Sequence, residues 1–483
     1  MDKTQIAHIA SQMSTREDLL ALLNCIKKDK MQELGFDADK FYPFTMKHIL
    51  YYCNPNHVVH RYRQFKIKKK SGGFRQITTP RNQSFMKLLQ SVNEMLKAMY
   101  TPSDYAMGFT EGRSVITNAM VHTGQNYVFN IDLKDFFPSI EQPRIWKRLQ
   151  LAPFNFSQTI ANVLAGLCSM RETRKSADGK EKYVYVLPQG APTSPIITNM
   201  ICDTLDRRLA GLAKRFGLHY TRYADDITFS SMHNVYAENG EFRKELIRII
   251  EDQGFTINKA KTRLQKRGSR QEVTGIIVNK KLNVTKKYTR EIRSLLHIWE
   301  KYGYSTATFR YLQKYASEKE HTPKGMPNLI KILNGKLMYL KMVKSNSDPV
   351  YLRLNNKFQE LIAKDAVIER QNAVGITYTE TIPLPNFEQN NQTHITFLHK
   401  KDNKRFATFQ LKGIKQFASI NKQVSLADEL QKGNLAISNC CNGKGQQFWL
   451  IHLMHKIKTP QSQLIDIDEL NNDLDSLLNT LYG

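Results

Sequence analysis

The chain has 483 residues, 41% of them hydrophobic, so it is long enough for roughly two to four domains and apolar enough to bury a core. This composition excludes an intrinsically disordered chain. Lys and Arg number 71 against 44 Asp and Glu, and the resulting formal charge of +27 favours nucleic acid as a partner over a charge that serves solubility alone.

The cysteines and the N-terminus indicate the compartment. No C-x-x-C spacing occurs, which excludes a zinc signature and argues against a disulfide framework among Cys25, Cys53, Cys168, Cys202, Cys440 and Cys441. The N-terminal stretch MDKTQIAHIASQMSTREDLL has no apolar run of signal-peptide length, and no segment is apolar enough to span a bilayer. We therefore expect a cytoplasmic protein that does not associate with membranes.

The first part of the chain predicts helices followed by a hairpin. In STREDLLALLNCIKK, Ser14 or Thr15 precedes an acidic first turn, as in a capping box. The later stretch FKIKKKSGGFRQITTP places basic residues and glycines between two strand-like runs. This pattern predicts a hairpin with a cationic tip.

The middle of the chain predicts strands and helices in turn. NYVFNIDLKDFFPSI contains a short apolar strand, Tyr127 to Ile131, that ends on Asp132. SPIITNMICDTLDRRLAGLAKRF has apolar residues at helical spacing, and RKELIRIIEDQG is an amphipathic helix stopped by a glycine. Between these two helices, LHYTRYADDITFS predicts a hairpin with Asp225 and Asp226 at or near its turn.

These elements allow three carboxylates to meet. Neighbouring strands lie about 4.8 Å apart, so Asp132 and the pair Asp225–Asp226 can share a metal at adjacent strand ends. Without cations, such a cluster raises the pKa of its own members. Two Mg²⁺ ions roughly 3.5–4 Å apart can activate an attacking hydroxyl and stabilise a leaving pyrophosphate. The competing interpretation of an isolated Asp-Asp pair is a solvated turn.

These acidic residues and the motifs around them resemble those of the reverse transcriptases. YADD (Tyr223 to Asp226) is similar to their active-site motif, and IDLKDFF to their first carboxylate motif. LPQGAPTSP (Leu187 to Pro195) and GFTINKAKT (Gly254 to Thr262) resemble later motifs, and FKIKKKSGGFRQI resembles the fingers hairpin. The five motifs occur in family order over roughly residues 60 to 280, which is more specific than any one of them.

The resemblance implies a metal site. Asp132 and Asp225 would be the principal ligands of two Mg²⁺ ions, with Mn²⁺ as the alternative metal, and Asp226 would complete the catalytic triad. The backbone carbonyl of Leu133 would also contact a metal. Lys261 is a candidate general acid for the pyrophosphate, and a plain surface lysine is the equally weighted alternative.

The resemblance also implies a nucleotide pocket. Lys68 and Arg75, on the basic hairpin, would grip the incoming triphosphate, and a planar Arg suits bidentate phosphate contact. The neighbouring lysines at the tip are interpreted as solvated. The pocket would also be lined by Gln189, Gly190, Tyr223 and Ala224. Gly190 would allow the backbone to approach closely, because it has no side chain.

Phe137 is the expected sugar selector. It lies five residues after Asp132, where the family places a bulky side chain under the ribose. An aromatic ring there would collide with a 2′-hydroxyl, so we expect a preference for deoxynucleotides. The alternative is that Phe136 or Phe137 is an ordinary core residue.

Two further segments resemble additional motifs of bacterial retron reverse transcriptases. NAMVH contains Asn118 and His122, and VTG comprises Val273, Thr274 and Gly275. The resemblance implies reverse transcription of part of a cognate structured non-coding RNA, primed from the 2′-hydroxyl of an internal guanosine. It would leave a branched RNA–DNA hybrid (msDNA) that acts in antiphage defence, with a separate effector protein as a possible partner. RNA recognition is expected near VTG and on the basic helical segment after it; a generic basic surface that holds any duplex is the alternative.

The predicted fold class is therefore α+β, a right-hand polymerase with an additional C-terminal α/β or β-rich domain. The predicted divisions are an N-terminal helical region at 1–55, fingers and palm at 56–284, a helical thumb at 285–363, a linker at 364–385 and a C-terminal extension at 386–483. The extension would be a fused effector, a platform for a separate effector or an RNA clamp. Its histidines His394, His399, His452 and His455 are interpreted as ordinary residues rather than metal ligands.

Two other functions compete with the retron hypothesis. One is another bacterial reverse transcriptase, of the intron or untemplated defence type, although the sequence shows neither a maturase region nor an HNH nuclease. The other is a catalytically silent RNA-binding scaffold. The intact Asp132, Asp225 and Asp226 argue against the scaffold, because a scaffold has no need to collect metal-binding carboxylates.

Overall fold

The structure is a computed structural model, and it describes residues 1–36, 41–57, 61–68, 73–175, 178–319 and 328–373, followed by six strands between 379 and 465. The chain divides into two compact units, Met1–Asn283 and Val284–Gly483. The candidate site lies in the first unit.

The first unit begins with helices that bury one face each. Helices Lys3–Gln12, Arg16–Glu33 and Met46–Cys53 are followed, after the first hairpin, by helix Gln83–Met99. Thr15, rather than Ser14, caps the second helix, and its hydroxyl accepts from the Asp18 backbone N–H in a capping box. The apolar stripe of helix Gln83–Met99 is buried, with Phe85, Leu88, Leu89, Val92 and Met95 all inside the core.

Strands β1 (Tyr62–Lys68) and β2 (Phe74–Pro80) form the predicted antiparallel hairpin. Its tip, residues 69–72, lies outside the described residues. A second hairpin is made by β4 (Met170–Lys175) and β5 (Glu181–Val186). Helices Gln142–Leu149 and Gln158–Cys168 precede it.

A four-stranded antiparallel sheet forms the centre of the unit. Its strands are β3 (Tyr127–Asp132), β6 (His219–Tyr223), β7 (Asp226–Ser231) and β8 (Arg263–Lys266). Their order across the sheet is β6-β7-β3-β8. Strand β3 ends on Asp132, as predicted, and β6–β7 is the predicted hairpin. A short hairpin of β9 (Glu272–Val273) and β10 (Ile276–Ile277) follows the sheet.

Strand alternation gives this sheet two different faces. On one face, Phe129, Ile131, Ile227 and Phe229 are at most 1% exposed. Helices Ser194–Arg215 and Glu241–Asp252 also bury apolar residues, and Phe242 of the second makes edge-on ring contacts with Phe129 and Phe229.

The other face of the sheet is polar and largely buried. It carries the small polar side chains of Asn130, Thr221, Thr228 and Ser230. Asn130 donates to the Thr228 hydroxyl across the strands at 3.1 Å. Helix Val115–Met120 and the residues that follow it contact this face through hydrogen bonds described below.

The second unit contains the segment at 285–363 that was predicted to be a helical thumb, and the structure describes helices there. They are Lys286–Lys319, Leu329–Lys344 and Pro349–Ala373. The first is broken at Gly303, where φ is 86° and ψ is 163°. The last continues to Ala373, into the segment predicted to be a linker, because AKDAVIERQNA consists mostly of good helix formers.

Past Ala373, the structure describes strands only. Strands β11 (Thr379–Pro383), β12 (His394–His399) and β13 (Arg405–Gln410) form one sheet, and β14 (Leu435–Cys441), β15 (Gln447–Leu453) and β16 (Leu464–Ile465) form another. His394 is the first residue of β12 and His399 is the last, and His452 lies in β15. His455 lies outside the described residues. None of the helices described by the structure is both long and apolar enough to traverse a lipid bilayer.

Candidate active site

The register of the central sheet brings the three predicted carboxylates together. Strand β3 pairs with β7 so that Asp132 lies directly opposite Asp226. Opposed residues in an antiparallel pair have their side chains on the same face. Asp225 precedes β7 in the hairpin turn, and its carbonyl accepts from the Leu133 backbone N–H at 3.0 Å. Three acidic residues from two separate parts of the chain therefore lie at one end of the sheet.

The turn that carries Asp225 is tight. Tyr223 pairs with Asp226, so only Ala224 and Asp225 connect β6 to β7. Ala224 has φ of 58°, a left-handed conformation that is uncommon for residues other than glycine. A Cβ on Gly108 would lie 2.7 Å from the Ala224 backbone nitrogen, so a larger residue cannot stand there unless the turn shifts. Gly108 thus supports the turn by close backbone contact.

A buried ion pair holds the same turn from inside the protein. The Arg222 guanidinium donates to both carboxylate oxygens of Asp206, at 2.7 and 2.6 Å, and neither side chain has exposed surface. Arg222 also donates to the carbonyl of Ala224 at 3.2 Å and to the Asn199 side chain at 3.2 Å. Tyr220 donates to Asp206 at 2.7 Å. The orientation of the turn is therefore fixed by charge-assisted hydrogen bonds.

Asp132 is held by residues of the segment that follows Gly254. The Lys261 ammonium lies 2.9 and 2.7 Å from the two carboxylate oxygens of Asp132. The Asn258 amide donates to one of these oxygens at 3.0 Å, and the Asn258 backbone N–H donates to the Asp132 carbonyl at 2.8 Å. Lys261 thus stands at the predicted site, in an ion pair with one of the triad members.

The cluster changes the acidity of two of its members. Burial raises the pKa of Asp226 to about 6, and repulsion from Asp225 and then from Asp132 adds to this rise. Asp226 keeps exposed surface, but protein atoms crowd its carboxylate enough to desolvate it. Burial also raises the pKa of Asp225, and Asp132 adds to it, whereas Lys261 and Arg75 oppose the rise. For Asp225 and Asp226 the direction agrees with the prediction, but desolvation outweighs mutual repulsion as its cause.

The donor atoms suit a hard divalent cation. Three carboxylates and a backbone carbonyl are the oxygen ligands that Mg²⁺ takes alongside water and phosphate. In the part of the chain that the structure describes, no three His, Cys, Asp or Glu side chains already stand in an arrangement that would hold one ion. The Lys261 ammonium supplies the positive charge next to Asp132 instead. The chemistry of the site therefore fits a divalent cation, which Asp132, Asp225 and Asp226 would hold, with Lys261 beside Asp132.

One predicted phosphate-binding residue of the first hairpin, Arg75, lies close enough to the carboxylates to interact with them electrostatically. Arg75 of β2 is exposed and partly opposes the rise in the pKa of Asp225, and Lys68 ends β1 opposite Phe74. The Thr78 backbone N–H donates to the Gln189 carbonyl at 2.8 Å.

Gly190, the next residue, has φ of 126°. A Cβ there would meet the Thr78 carbonyl oxygen at 2.8 Å, so this position requires glycine. The close backbone approach expected of Gly190 is thus made to β2.

Phe137 stands in a row of aromatic rings that leads from the core to solvent. Phe255 and Phe136 are buried, with centroids 5.5 Å apart. Phe136 contacts Phe137 edge-on at 5.5 Å, and Phe137 in turn lies 6.3 Å from the exposed ring of Phe109. Of the two candidates, Phe136 is therefore the core residue and Phe137 the partly exposed one.

The two segments that resemble retron motifs contact each other. His122 bonds to the hydroxyls of Thr221 and Ser230, each at 2.7 Å, and Thr221 donates to Asn118 at 2.6 Å. Asn118 donates to the Thr274 hydroxyl at 3.3 Å. Burial lowers the pKa of His122 to about 3, so the imidazole is neutral. Asn118 and His122 have at most 1% exposure and present no surface to RNA.

The VTG segment is the tip of the β9–β10 hairpin. Val273 pairs with Ile276, and the two turn residues Thr274 and Gly275 have φ of 46° and 85°. Positive φ at both positions is typical of a type I′ turn. A β-branched residue such as Thr274 is costly in this conformation, and its hydroxyl contact with Asn118 helps to offset the cost. Gly275 is exposed.

Sequence reasoning missed four residues that shape this site: Asn258, Arg222, Asp206 and Gly108. Asp206 had a usable signal, because it stands on the buried face of its helix between Cys202 and Leu209, and a charge in such a stripe needs an internal partner. Asn258 lies within the quoted GFTINKAKT. Gly108 had no signal, since its role depends on a contact made only in the folded chain.

Comparison with known proteins finds a matching family and similar relatives. The family described as "Reverse transcriptase (RNA-dependent DNA polymerase)" matches residues 67–312. The Retron Mx65 reverse transcriptase of Myxococcus xanthus is 38% identical over 251 residues, which cover 50% of this chain and 57% of that protein. The Retron Mx162 reverse transcriptase of the same organism is 35% identical over 260 residues, covering 49% and 52%.

A third relative is the Retron Ec86 reverse transcriptase of Escherichia coli. It is 34% identical over 241 residues, which cover 49% of this chain and 69% of the relative. The chain thus spans little more than half the length of the two Myxococcus relatives.

Proposed function

Because this chain belongs to the reverse transcriptase family and is similar to retron enzymes of two bacteria, we propose that it is a retron RNA-directed DNA polymerase. It copies part of a cognate structured non-coding RNA from deoxynucleoside triphosphates, primed by the 2′-hydroxyl of an internal guanosine. The product is msDNA, which serves in antiphage defence together with a separate effector protein. The observation that carries the proposal is the in-register pairing of Asp132 with Asp226 beside Asp225.

We assign the parts of the chain accordingly. The β1–β2 hairpin belongs to the fingers, the four-stranded sheet with its helices to the palm, and helices Lys286–Lys319, Leu329–Lys344 and Pro349–Ala373 to the thumb. The strands after Thr379 belong to the C-terminal extension. The helix that ends at Ala373 supports a thumb longer than the boundary at 363.

We assign the metal site to Asp132, Asp225, Asp226 and the Leu133 carbonyl. Two Mg²⁺ ions, when bound there, supply activation of the attacking hydroxyl and neutralisation of the leaving pyrophosphate. The raised pKa values of Asp225 and Asp226 support this assignment, because carboxylates that are desolvated, and that also repel one another, gain most from a nearby cation. Metal ligands must be deprotonated, so the affinity of the site should fall at acidic pH.

Lys261 has two roles in this proposal. It neutralises Asp132 through the ion pair before the metal binds, and it then holds a proton at Nζ that can pass to the pyrophosphate. Its side chain remains 55% exposed, so it can leave Asp132 without breaking core packing. Asn258 keeps the Asp132 carboxylate oriented meanwhile.

The incoming nucleotide lies between the first hairpin and the carboxylates. We assign its phosphates to Lys68 and Arg75 and its sugar to Phe137. The electrostatic effect of Arg75 on Asp225 supports this assignment. Gln189 and Gly190, which contact β2 through the backbone, line the pocket together with Tyr223 and Ala224 of the turn.

RNA recognition is assigned to the exposed tip of the β9–β10 hairpin and to the basic helical segment. Gly275 is exposed at this tip, and Thr274 is tied to the interior through Asn118. Asn118 and His122 then act as supports of the tip rather than as RNA contacts. The formal charge of +27 supports a polyanionic ligand.

A cytoplasmic location fits this activity. Cys168 and Cys202 are buried free thiols, as expected in a reducing compartment.

The test is to purify the full chain from its host with its nucleic acid and to treat that material with RNase and with debranching enzyme. We expect one short DNA joined 2′–5′ to one specific RNA. The double variant Asp225→Ala/Asp226→Ala should carry the RNA without DNA, because the loss of two ligands removes the metal site. Asp135→Asn is the matched control: Asp135 is exposed beside Asp132, and Asn tolerates its φ of 47°.

Two results would contradict the proposal. Heterogeneous DNA that matches no bound RNA would indicate another bacterial or intron-type reverse transcriptase. RNA alone, identical in the unmodified chain and in the double variant, would indicate a catalytically silent RNA-binding scaffold.

A further inference from the structure

Phe109 is an exposed aromatic residue in an unfavourable backbone conformation. Its φ is 61°, in the left-handed region that bulky residues rarely adopt, and 41% of its surface is exposed. Burial of its ring in the core therefore does not explain the strain. Strained residues persist only where the surrounding structure holds them, and they often lie at functional sites.

The surroundings of Phe109 hold it firmly. The Met107 backbone N–H donates to the Arg222 carbonyl at 2.7 Å. The Gly108 carbonyl accepts from the buried Asn199 side chain at 3.1 Å. The Thr110 hydroxyl donates to the Ala106 carbonyl at 2.8 Å. Both neighbours of Phe109 in the chain are thereby anchored, and Gly108 packs against the turn that carries Asp225.

The ring held in this way lies beside Phe137. Their centroids are 6.3 Å apart with planes at 53°, a tilted contact within the range of favourable aromatic pairs. Phe137 also contacts the buried ring of Phe136 edge-on, with centroids 5.5 Å apart. Phe137 thus contacts one core ring and one exposed ring, and Phe109 is the exposed partner.

We propose that Phe109 is a positioning residue for sugar selection: it restrains the ring of Phe137 from the solvent side and thereby strengthens the exclusion of ribonucleotides. This inference rests on the proposed function, in which Phe137 contacts the nucleotide sugar. A selector ring excludes a 2′-hydroxyl only if it cannot turn away. Phe136 restrains the ring from the core, and Phe109 adds the contact of an exposed ring whose own backbone is anchored.

The experiment measures single-nucleotide extension of a DNA primer annealed to an RNA template, using the full chain with dTTP or with UTP. Phe109→Asn removes the ring and keeps a residue that accepts positive φ. We expect the ratio of kcat/KM for dTTP to that for UTP to fall on the order of two- to tenfold, the size of one aromatic contact, mainly through a lower KM for UTP. Phe109→Tyr keeps the ring and should restore the ratio.

Phe137→Ala tests the assignment of Phe137 to the nucleotide sugar separately from the inference about Phe109. It should lower the ratio further, and the double variant should be no more permissive than Phe137→Ala alone, because both changes act through one ring. Phe36→Ala, which removes a similarly exposed phenyl ring after helix Arg16–Glu33, is the matched control. If Phe109→Asn lowers the melting temperature, the ratio is measured for Phe109→Leu, which also removes the aromatic ring.

Three outcomes would overturn the inference. In the first, Phe137→Ala relaxes discrimination while both Phe109→Asn and Phe109→Leu keep the original ratio; the proposed role of Phe137 then survives without Phe109. In the second, Phe137→Ala leaves the ratio unchanged in an active enzyme, and the sugar-selector assignment fails as well. In the third, a folded Phe109→Asn variant extends with neither nucleotide, which would show a general role in extension.

Discussion

His122 shows how a single buried residue can link stability to pH. Both of its ring nitrogens are bonded to hydroxyls, and burial lowers its pKa to about 3 from an ordinary value of 6.5. Between these two values the unfolded chain binds a proton that the folded chain does not. The free energy of unfolding contributed by this group is therefore full at neutral pH and decreases as the pH falls below 6.5.

We expect this decrease to reach about 2 kcal/mol at pH 5, since each unit of pKa difference corresponds to about 1.4 kcal/mol. Urea unfolding of His122→Gln between pH 5 and pH 7.5 should show a shallower dependence on pH than the unmodified chain. His233→Gln, which replaces a histidine on the exposed surface, is the matched control. An unchanged slope in His122→Gln would contradict the neutral, buried imidazole.

Among single residues, the sequence identified the acidic residues of the site but not the residues that hold their turn in place. Asp132, Asp225 and Asp226 were found because their spacing and flanking strands form a pattern along the chain. Arg222 and Gly108 were not, because each acts through atoms far away in sequence: Arg222 reaches Asp206, and Gly108 approaches the backbone of Ala224. Such contacts leave no periodic signal.

Among the elements, the β6–β7 hairpin depends most on partners outside itself. Its turn is supported by helix Ser194–Arg215 through the buried pair of Arg222 and Asp206. Replacing such a pair by apolar residues is often neutral for stability, whereas removing one partner leaves a buried charge uncompensated. The pair is therefore best explained by the orientation that it gives to the carbonyl of Ala224.

Arg222→Met should destabilise the chain by about 3–5 kcal/mol, because Asp206 would remain buried without its cation. The double variant Arg222→Met/Asp206→Leu should recover most of the melting temperature but little of the primer extension rate, because the turn stays unsupported. Removing the exposed pair of Arg248 and Glu245 should change neither measurement. Full extension by the double variant would show that the ion pair serves stability alone.

The elements themselves were predicted better than their ends. The hairpins β1–β2 and β6–β7, strand β3 and the long helices follow from apolar spacing and turn residues. The last helix, however, continues to Ala373, past the expected boundary at 363. Helix ends depend on capping and packing as well as on propensity, so spacing alone places them poorly. The break at Gly303 was likewise not predicted, although a glycine marks it.

For the whole molecule, the excess of basic residues predicts how binding depends on salt. Each phosphate neutralised by Lys or Arg releases counterions, so affinity for RNA falls as salt rises. We expect affinity for a structured RNA to fall on the order of a hundredfold or more between about 50 and about 200 mM salt. Filter binding or fluorescence anisotropy measures this, and Asp225→Ala/Asp226→Ala should give a similar slope. A flat dependence would show that the charge of +27 does not serve nucleic-acid binding.

The sequence by itself determined the chemistry available to this protein: three acidic residues with their flanking strands, a basic hairpin, an aromatic candidate for sugar selection and an overall positive charge. These are properties of residue type and local spacing, which any chain displays before it folds. Tertiary structure alone decided which of them meet. Asp132 faces Asp226 because of strand register, Lys261 pairs with Asp132 across a loop, and Phe109 lies against Phe137, since contacts between distant segments arise only when the chain packs.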